Sequence, residues 1–158
     1  SAQVGAPTEA ELIRYYADNM QRYYVDAAYS FEHVYFKKRP QNAAAISSEL
    51  EAGKHITGDV FMHGSQFSGV SEEILRGAFG DRFLAEVISL EPHHWHGPIT
   101  SNYGAHFVRM QRKTPASPVP FAHAKELLEN DLMTLKVDEA VAAKIDSLKA
   151  QYEINIEP

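Results

Sequence analysis

Two histidines far apart in the chain occupy matching places in strand-like segments. The first segment is Tyr29-Ser30-Phe31-Glu32-His33-Val34-Tyr35-Phe36. The second runs from Trp95 to Val108 and carries His106. Each leads into a hydrophobic run compatible with period-two alternation. If the strands pair, the imidazoles meet on one face of a sheet. A neutral imidazole offers one donor and one acceptor, so two rings can fix each other's tautomer, and Ser101 can complete the network. With unperturbed histidine titrating at ~6.5, activity that needs a neutral pair is expected to fall below that pH. The same residues also read as satisfied core histidines.

Other chemistry is less well supported. His93-His94-Trp95-His96, with His63, invites a metal reading. There is no helical His-Glu-x-x-His, and adjacent histidines on a turn seldom converge, so no metal is expected. No Gly-x-Ser-x-Gly elbow is present, and no paired acids stand out for glycosidase work. The chain has no cysteine, which removes thiolate nucleophiles, thiolate ligands and disulfides. The net charge of −6 argues against nucleic acid, whose binding rests on Lys and Arg. At 158 residues, 44% hydrophobic and 23% charged, the chain fits one ordinary globular domain. No apolar run approaches the ~20 residues that span a bilayer. The start Ser1-Ala2-Gln3, without Met, is expected of a processed or excised piece.

The elements that must position these residues follow from local signals. Thr8-Glu9-Ala10-Glu11 is a capping box opening a helix through about Tyr24. A strand covers Tyr29 to Lys37, with Phe31, His33 and Tyr35 on one face. Pro40 can start a helix over Gln41 to Ala52, closed by Gly53. Gly58-Asp59-Val60-Phe61 precedes a polar loop to Gly69. Ser71 is the N-cap of a helix over Glu72 to Ala78, and Phe79 to Leu90 reads as another. Ile99 to Ser101 and Gly104 to Gln111 form a hairpin bending at Asn102-Tyr103. Thr114 to Pro120 holds three prolines and reads as a linker. A long helix is expected from Phe121 to Tyr152, then a short strand over Tyr152 to Ile156.

Gly97-Pro98-Ile99-Thr100-Ser101-x-Tyr103-Gly104-x-His106-Phe107-Val108 is similar to the terminal hairpin of parvulin-type peptidyl-prolyl cis–trans isomerases. Glu32-His33-Val34 resembles that family's first strand, and Gly58-Asp59 its glycine-aspartate turn. Phe79 and Phe83 fall where the family keeps its proline-pocket side chains. The opening helix, with Glu11-Leu12 and Tyr15-Tyr16, is similar to bacterial envelope members. The family usually has a longer stretch before the glycine-aspartate turn, with a second helix and a Cys or Asp at the active site. Here Lys37 to Gly58 has room for one helix, and no residue matches that position.

The resemblance implies an α+β, parvulin-like (FKBP-like) fold: a small, mostly antiparallel sheet flanked by an N-terminal and a long C-terminal helix. It divides the chain into a helical segment (1–28), a parvulin-like domain (29–113) and a C-terminal helix with short strand (114–158) on the same unit. It implies peptidyl-prolyl isomerisation of proline-containing unfolded or nascent polypeptides, in or facing the periplasm, with no cofactor. His33 and His106 would form the floor with Ser101, and Asp59 or the 62–69 loop would border the cleft. Phe79, Phe83, Val60 and Leu75 would be its apolar walls. Such a site needs only to grip the ring and favour the twisted amide. The phenylalanines equally read as helix core, and Gly58-Asp59 as a plain turn. Two rivals are a catalytically weak or inactive parvulin-like chaperone and a plain interaction module built on the terminal helices.

Overall fold

The computed structural model describes residues 4–156, so the first three residues discussed above lie outside it. The chain forms two compact units. One combines the N-terminal residues through Val25 with Pro118 onward; the other is Asp26–Ser117. Two-residue strands, β1 (Tyr24–Val25) and β6 (Ser117–Pro118), mark the places where the chain passes between them.

The first unit is helical. Helix α1 (Glu9–Asp18) opens with the capping box: the Glu11 amide donates to Thr8 Oγ1 at 3.2 Å and the Thr8 amide to Glu11 Oε1 at 3.2 Å. It ends short of Tyr24 because Asn19 leaves helical dihedrals and donates its side-chain amide to the Tyr15 carbonyl at 2.9 Å. A 3-10 turn, Met20–Arg22, follows. Helix α5 (Phe121–Ile156) packs Ala124, Leu128 and Leu132 against Leu12 and Tyr23. Burying these side chains stabilises the unit by about 1.5–3 kcal/mol for each large one. The short strand expected over Tyr152 to Ile156 is instead the last turn of α5. Five residues without a partner strand gain a ladder bond each only by continuing the helix.

The second unit is a four-stranded antiparallel sheet ordered β3-β2-β5-β4, made of β2 (Ala28–Phe36), β3 (Gln66–Val70), β4 (Trp95–Ser101) and β5 (Gly104–Thr114). Alternation gives it two faces. Phe31, Tyr35, Val108 and Met110 meet Leu75, Phe79, Phe83 and Val87 of α3 (Glu72–Phe79) and α4 (Asp81–Val87). Val34, Phe36, Phe107 and Trp95 meet Ile46 and Leu50 of α2 (Ala43–Glu51) on the other side. Helix α2 closes as expected at Gly53 (φ +86), whose amide bonds Leu50 O while that of Lys54 bonds Glu49 O. The helix expected over Phe79 to Leu90 is broken at Gly80, at φ +92, and runs only over Asp81–Val87. Strand β3 lies in what reads as a polar loop; its amide at Gly69 is held by Ser30 Oγ at 2.8 Å.

Gly58 shows how tightly the loop after α2 meets the sheet. A Cβ there would lie 2.3 Å from the Tyr35 carbonyl oxygen. Gly77, inside α3, has nothing within 4 Å of that position. Opposite signs follow. Gly58→Ala should lower the urea midpoint, costing about 1–3 kcal/mol by overpacking. Gly77→Ala should raise stability by about 0.5–1 kcal/mol by removing helix-interior glycine. Equal shifts in the two variants would contradict the close approach.

Candidate functional site

Strands β2 and β5 pair with Tyr35 opposite His106 and His33 opposite Val108. That register makes His33 and His106 diagonal neighbours on one face, within reach of their rings. Their Nδ1 atoms are 3.0 Å apart, and both residues are buried. His33 Nε2 lies 2.7 Å from the Gly64 carbonyl oxygen, and His106 Nε2 lies 2.6 Å from Ser101 Oγ. The Tyr103 amide donates to that same Oγ at 3.0 Å.

These contacts determine where every proton sits in the neutral state. The Gly64 carbonyl can only accept, so His33 carries its hydrogen on Nε2 and presents a bare Nδ1. His106 must then donate from Nδ1, which leaves its Nε2 as acceptor of the Ser101 hydroxyl. The chain runs one way, from the Tyr103 amide through Ser101, His106 and His33 to the Gly64 carbonyl. Each ring nitrogen has one partner, which is the condition for burying polar groups at low cost. A proton added to His33 would set its Nδ1–H against that of His106 in this arrangement, and one added to His106 would make its Nε2 a donor toward Ser101, whose hydroxyl must then turn away.

Electrostatics agree with that geometry. Burial, and secondarily the facing His33, pushes the His106 imidazole down to about 3. Burial also lowers that of His33, opposed by its bond to Gly64. Both rings are thus held below the ~6.5 at which loss of the neutral pair was expected, with His106 the further displaced.

An aromatic cage encloses the rings. Phe61 stands edge-on to both, with centroids 5.2 Å from His33 and 5.4 Å from His106, and stacks on Phe79 at 5.1 Å. Phe79 and Phe83 stack at 4.0 Å and, like Leu75, are 0% exposed. The structure differs here from the expected apolar walls: these three are interior packing beneath the histidines, without surface to offer a ligand. Val60 is the exception at 91% exposed. Asp59 Oδ2 accepts the Lys37 amide at 2.8 Å while its own amide donates to Tyr35 O at 2.7 Å, which bridges this exposed residue to β2.

Sequence reasoning missed Phe61 and Tyr103, and placed Met62 only as the start of the 62–69 loop. Phe61 caps the pair, Tyr103 packs edge-on against Phe61 at 5.6 Å, and Met62 is largely exposed beside it. The signal for Phe61 was its place three residues after Gly58, where a turn against β2 delivers it back over the sheet. The histidine run is accounted for otherwise: Glu51 bridges His94 Nδ1 at 2.7 Å and the Trp95 amide at 2.8 Å.

Residues 7–126 match the family of the PPIC-type PPIASE domain. No curated protein matches the chain. A solved structure from the SurA-like chaperones of Campylobacter jejuni, the virulence factor PEB4 and the periplasmic protein Cj1289, is similar at a TM-score of 0.60 and 17% identity. That likeness covers 92% of this chain and 62% of the other, so this chain spans about three fifths of its length. The peptidylprolyl isomerase PrsA of Bacillus anthracis gives a TM-score of 0.46 at 15% identity, covering 96% of this chain and 66% of that one. PrsA of Bacillus subtilis gives 0.42 at 15%, covering 96% and 57%.

The depressed imidazoles set a sign for stability. Their folded pKa values lie below the unfolded ~6.5, so the unfolded state takes up protons first and stability falls as pH drops through that value. His106 contributes a slope approaching ~1.4 kcal/mol per pH unit below ~6.5, and His33 adds to it with the same sign. The exposed His94, raised by its bond to Glu51, contributes the opposite sign. In a His94→Gln background, urea midpoints should therefore drop between pH 7.5 and 5.5, above the carboxylate range. A midpoint that holds steady or rises there would show that the pair is not kept neutral.

Proposed function

The chain belongs to the PPIC-type PPIASE domain family, that is, the parvulin-type isomerases, and from that premise we propose that it rotates X-Pro bonds in proline-containing unfolded or nascent polypeptides, assisting their folding in the cell envelope. The observation that carries the reading is the closed chain Ser101–His106–His33–Gly64 at the paired strands, which coincides with the segments that resemble the family. The envelope location rests on resemblance to the chaperones named above. The proposed isomerase body is the 29–113 stretch.

The chemistry suits what these residues can do. Amide resonance sets a barrier of about 18–20 kcal/mol, and rotation makes or breaks no bond to carbon. A twisted amide is less polar than a planar one, so an apolar surface that strips water from the carbonyl favours it. Val60 and Met62 flank Phe61 in the chain and Tyr103 packs edge-on against it; all three are exposed, and we assign proline contact to this apolar rim. The histidine chain acts beneath, as a neutral floor that holds Gly64 and Ser101 and so sets the position of the rim. His33 and His106 are thus positioning residues in this reading, and proton transfer is not required of them. Asp59 contributes by fixing the turn.

A second reading is favoured by the enclosed cage. With Phe79, Phe83 and Leu75 sealed inside, the accessible surface is shallow, which suits a chaperone that binds peptide and turns over slowly or not at all. One pair of measurements separates the two. Catalysed isomerisation of a proline tetrapeptide by this chain, reduced by at least about tenfold in Val60→Ser, supports the enzyme, since losing apolar contact of ~1.4 kcal/mol in the transition state is worth that factor. Activity should not follow the titration of an ordinary imidazole near ~6.5, because both rings are held below it. Peptide binding with background turnover identifies the chaperone, and neither binding nor turnover would falsify both.

A further inference from the structure

The apolar rim around Phe61 is built from two separate stretches of chain, and one buried residue joins them. Tyr35 lies on β2 opposite His106 of β5, on the same face as His33. Its three parts make three different contacts. The backbone carbonyl accepts the Asp59 amide at 2.7 Å, where the arm bearing Val60 and Met62 begins. The ring stands edge-on to Phe61, with centroids 4.9 Å apart, and lies tilted on His106 at 5.0 Å. The hydroxyl donates to the Tyr103 carbonyl oxygen at 2.7 Å, on the other arm.

The second arm needs such a hold. Asn102-Tyr103 is the bend of the β4–β5 hairpin, closed by the Ser101–Gly104 pair. Exposed bends of this kind are drawn from the parts of a fold that open most readily. Here both backbone polar groups of Tyr103 are tied down. Its amide donates to Ser101 Oγ at 3.0 Å, at the far end of the imidazole chain, and its carbonyl accepts from Tyr35. Gly104, the next residue, abuts the end of β2: a Cβ on it would run into the Phe36 carbonyl oxygen. A tyrosine buried for packing alone needs an acceptor of any kind. The acceptor of Tyr35 is the backbone of an exposed rim residue, so the hydroxyl passes the order of the core to the surface.

We infer that Tyr35 is a positioning residue for the proposed proline site: its carbonyl, ring and hydroxyl fix the separation of the Val60–Met62 arm from the Tyr103 arm before a substrate arrives. The inference rests on the isomerase or peptide-binding reading of that rim. Tyr35 acts through Phe61 and Tyr103 and does not itself touch substrate. Its effect is preorganisation. An arm free to move must be ordered on binding, and that entropy loss enters the ground and transition states alike. The expected signature of losing the hydroxyl is therefore weaker binding with an unchanged rate constant for the bound substrate.

Tyr35→Phe removes one atom and keeps both ring contacts, and Tyr29→Phe is its matched reference. Tyr29 is buried on the same strand, but its hydroxyl donates to Glu72 Oε1 of α3 at 3.1 Å instead of to the hairpin. In Tyr35→Phe the KM for a proline tetrapeptide should rise about threefold to tenfold, the worth of one such bond, with kcat within about twofold. Tyr29→Phe should leave both unchanged. Where peptide binds without turnover, its Kd is read in place of KM. Hydrogen exchange gives a reading independent of turnover. The Tyr103 amide should be protected in the unsubstituted chain and should exchange about threefold to tenfold faster in Tyr35→Phe alone. Equality of the two variants in either reading, or a Tyr103 amide unprotected in the unsubstituted chain, would overturn the positioning role and leave the isomerase reading intact. Failure of every proline peptide to bind or turn over would remove both. Because protection is read on the unsubstituted chain, a poorly folded Tyr35→Phe does not spare the proposal.

Discussion

The unit built on the sheet depends on keeping two ionisable rings uncharged inside an aromatic box. Imidazole is tolerated there only if each nitrogen is bonded and no net charge appears. The register of β2 on β5 supplies the first bond, ring to ring. The other two come from a backbone carbonyl and a serine that must be brought in from separate places, Gly64 and Ser101. Much else follows from that requirement. The loop bearing Gly64 has to come back over the sheet, which delivers Phe61 onto the rings. The β4–β5 hairpin has to turn at Asn102-Tyr103, so that Ser101 faces His106 across its own hairpin.

How much of this was legible beforehand varies by the range of the signal. The strands of His33 and His106 are readable because alternation with period two is a local pattern, and a diagonal pair follows once they are neighbours. Ser71, the capping box and the Gly53 closure are readable for the same reason: each is made of hydrogen bonds within five residues. Strand β3 is not readable. Gln66-Phe67-Ser68-Gly69-Val70 has weak strand propensity and exists because β2 offers an edge to it. The break at Gly80 is likewise tertiary: Asn102 of the hairpin sits where a side chain would be, 2.7 Å from that position. Phe79 and Phe83 show the limit of a resemblance. It marks which positions carry aromatics, while exposure depends on how neighbouring rings pack, and here Phe61 covers them.

The position of Asp59 bears on how the family's chemistry fits this chain. One oxygen of that carboxylate is tied to the Lys37 amide while the residue stays exposed, and bond rotation does not demand that the other orient a substrate. The planar amide is stabilised by charge separation that water and hydrogen-bond donors reinforce, so removing water is enough to favour the twisted form. A site with neutral imidazoles, tied-off polar groups and an apolar rim therefore lacks no chemical part for isomerisation. What decides the rate is how much of the substrate the rim can cover.

Coverage is where the two faces of the sheet become one question. A rim made of Val60, Met62 and Tyr103 is small, and a five-membered ring laid on it buries little area. Binding energy from remote parts of a substrate can hold the reacting bond in place, provided the remote contact is rigidly linked to the reacting one. In this chain the link is short: β2 carries His33 toward one face and Val34 toward the other, one residue apart. On the isomerase reading, so small a contact at the proline makes the rate depend on what else the substrate touches.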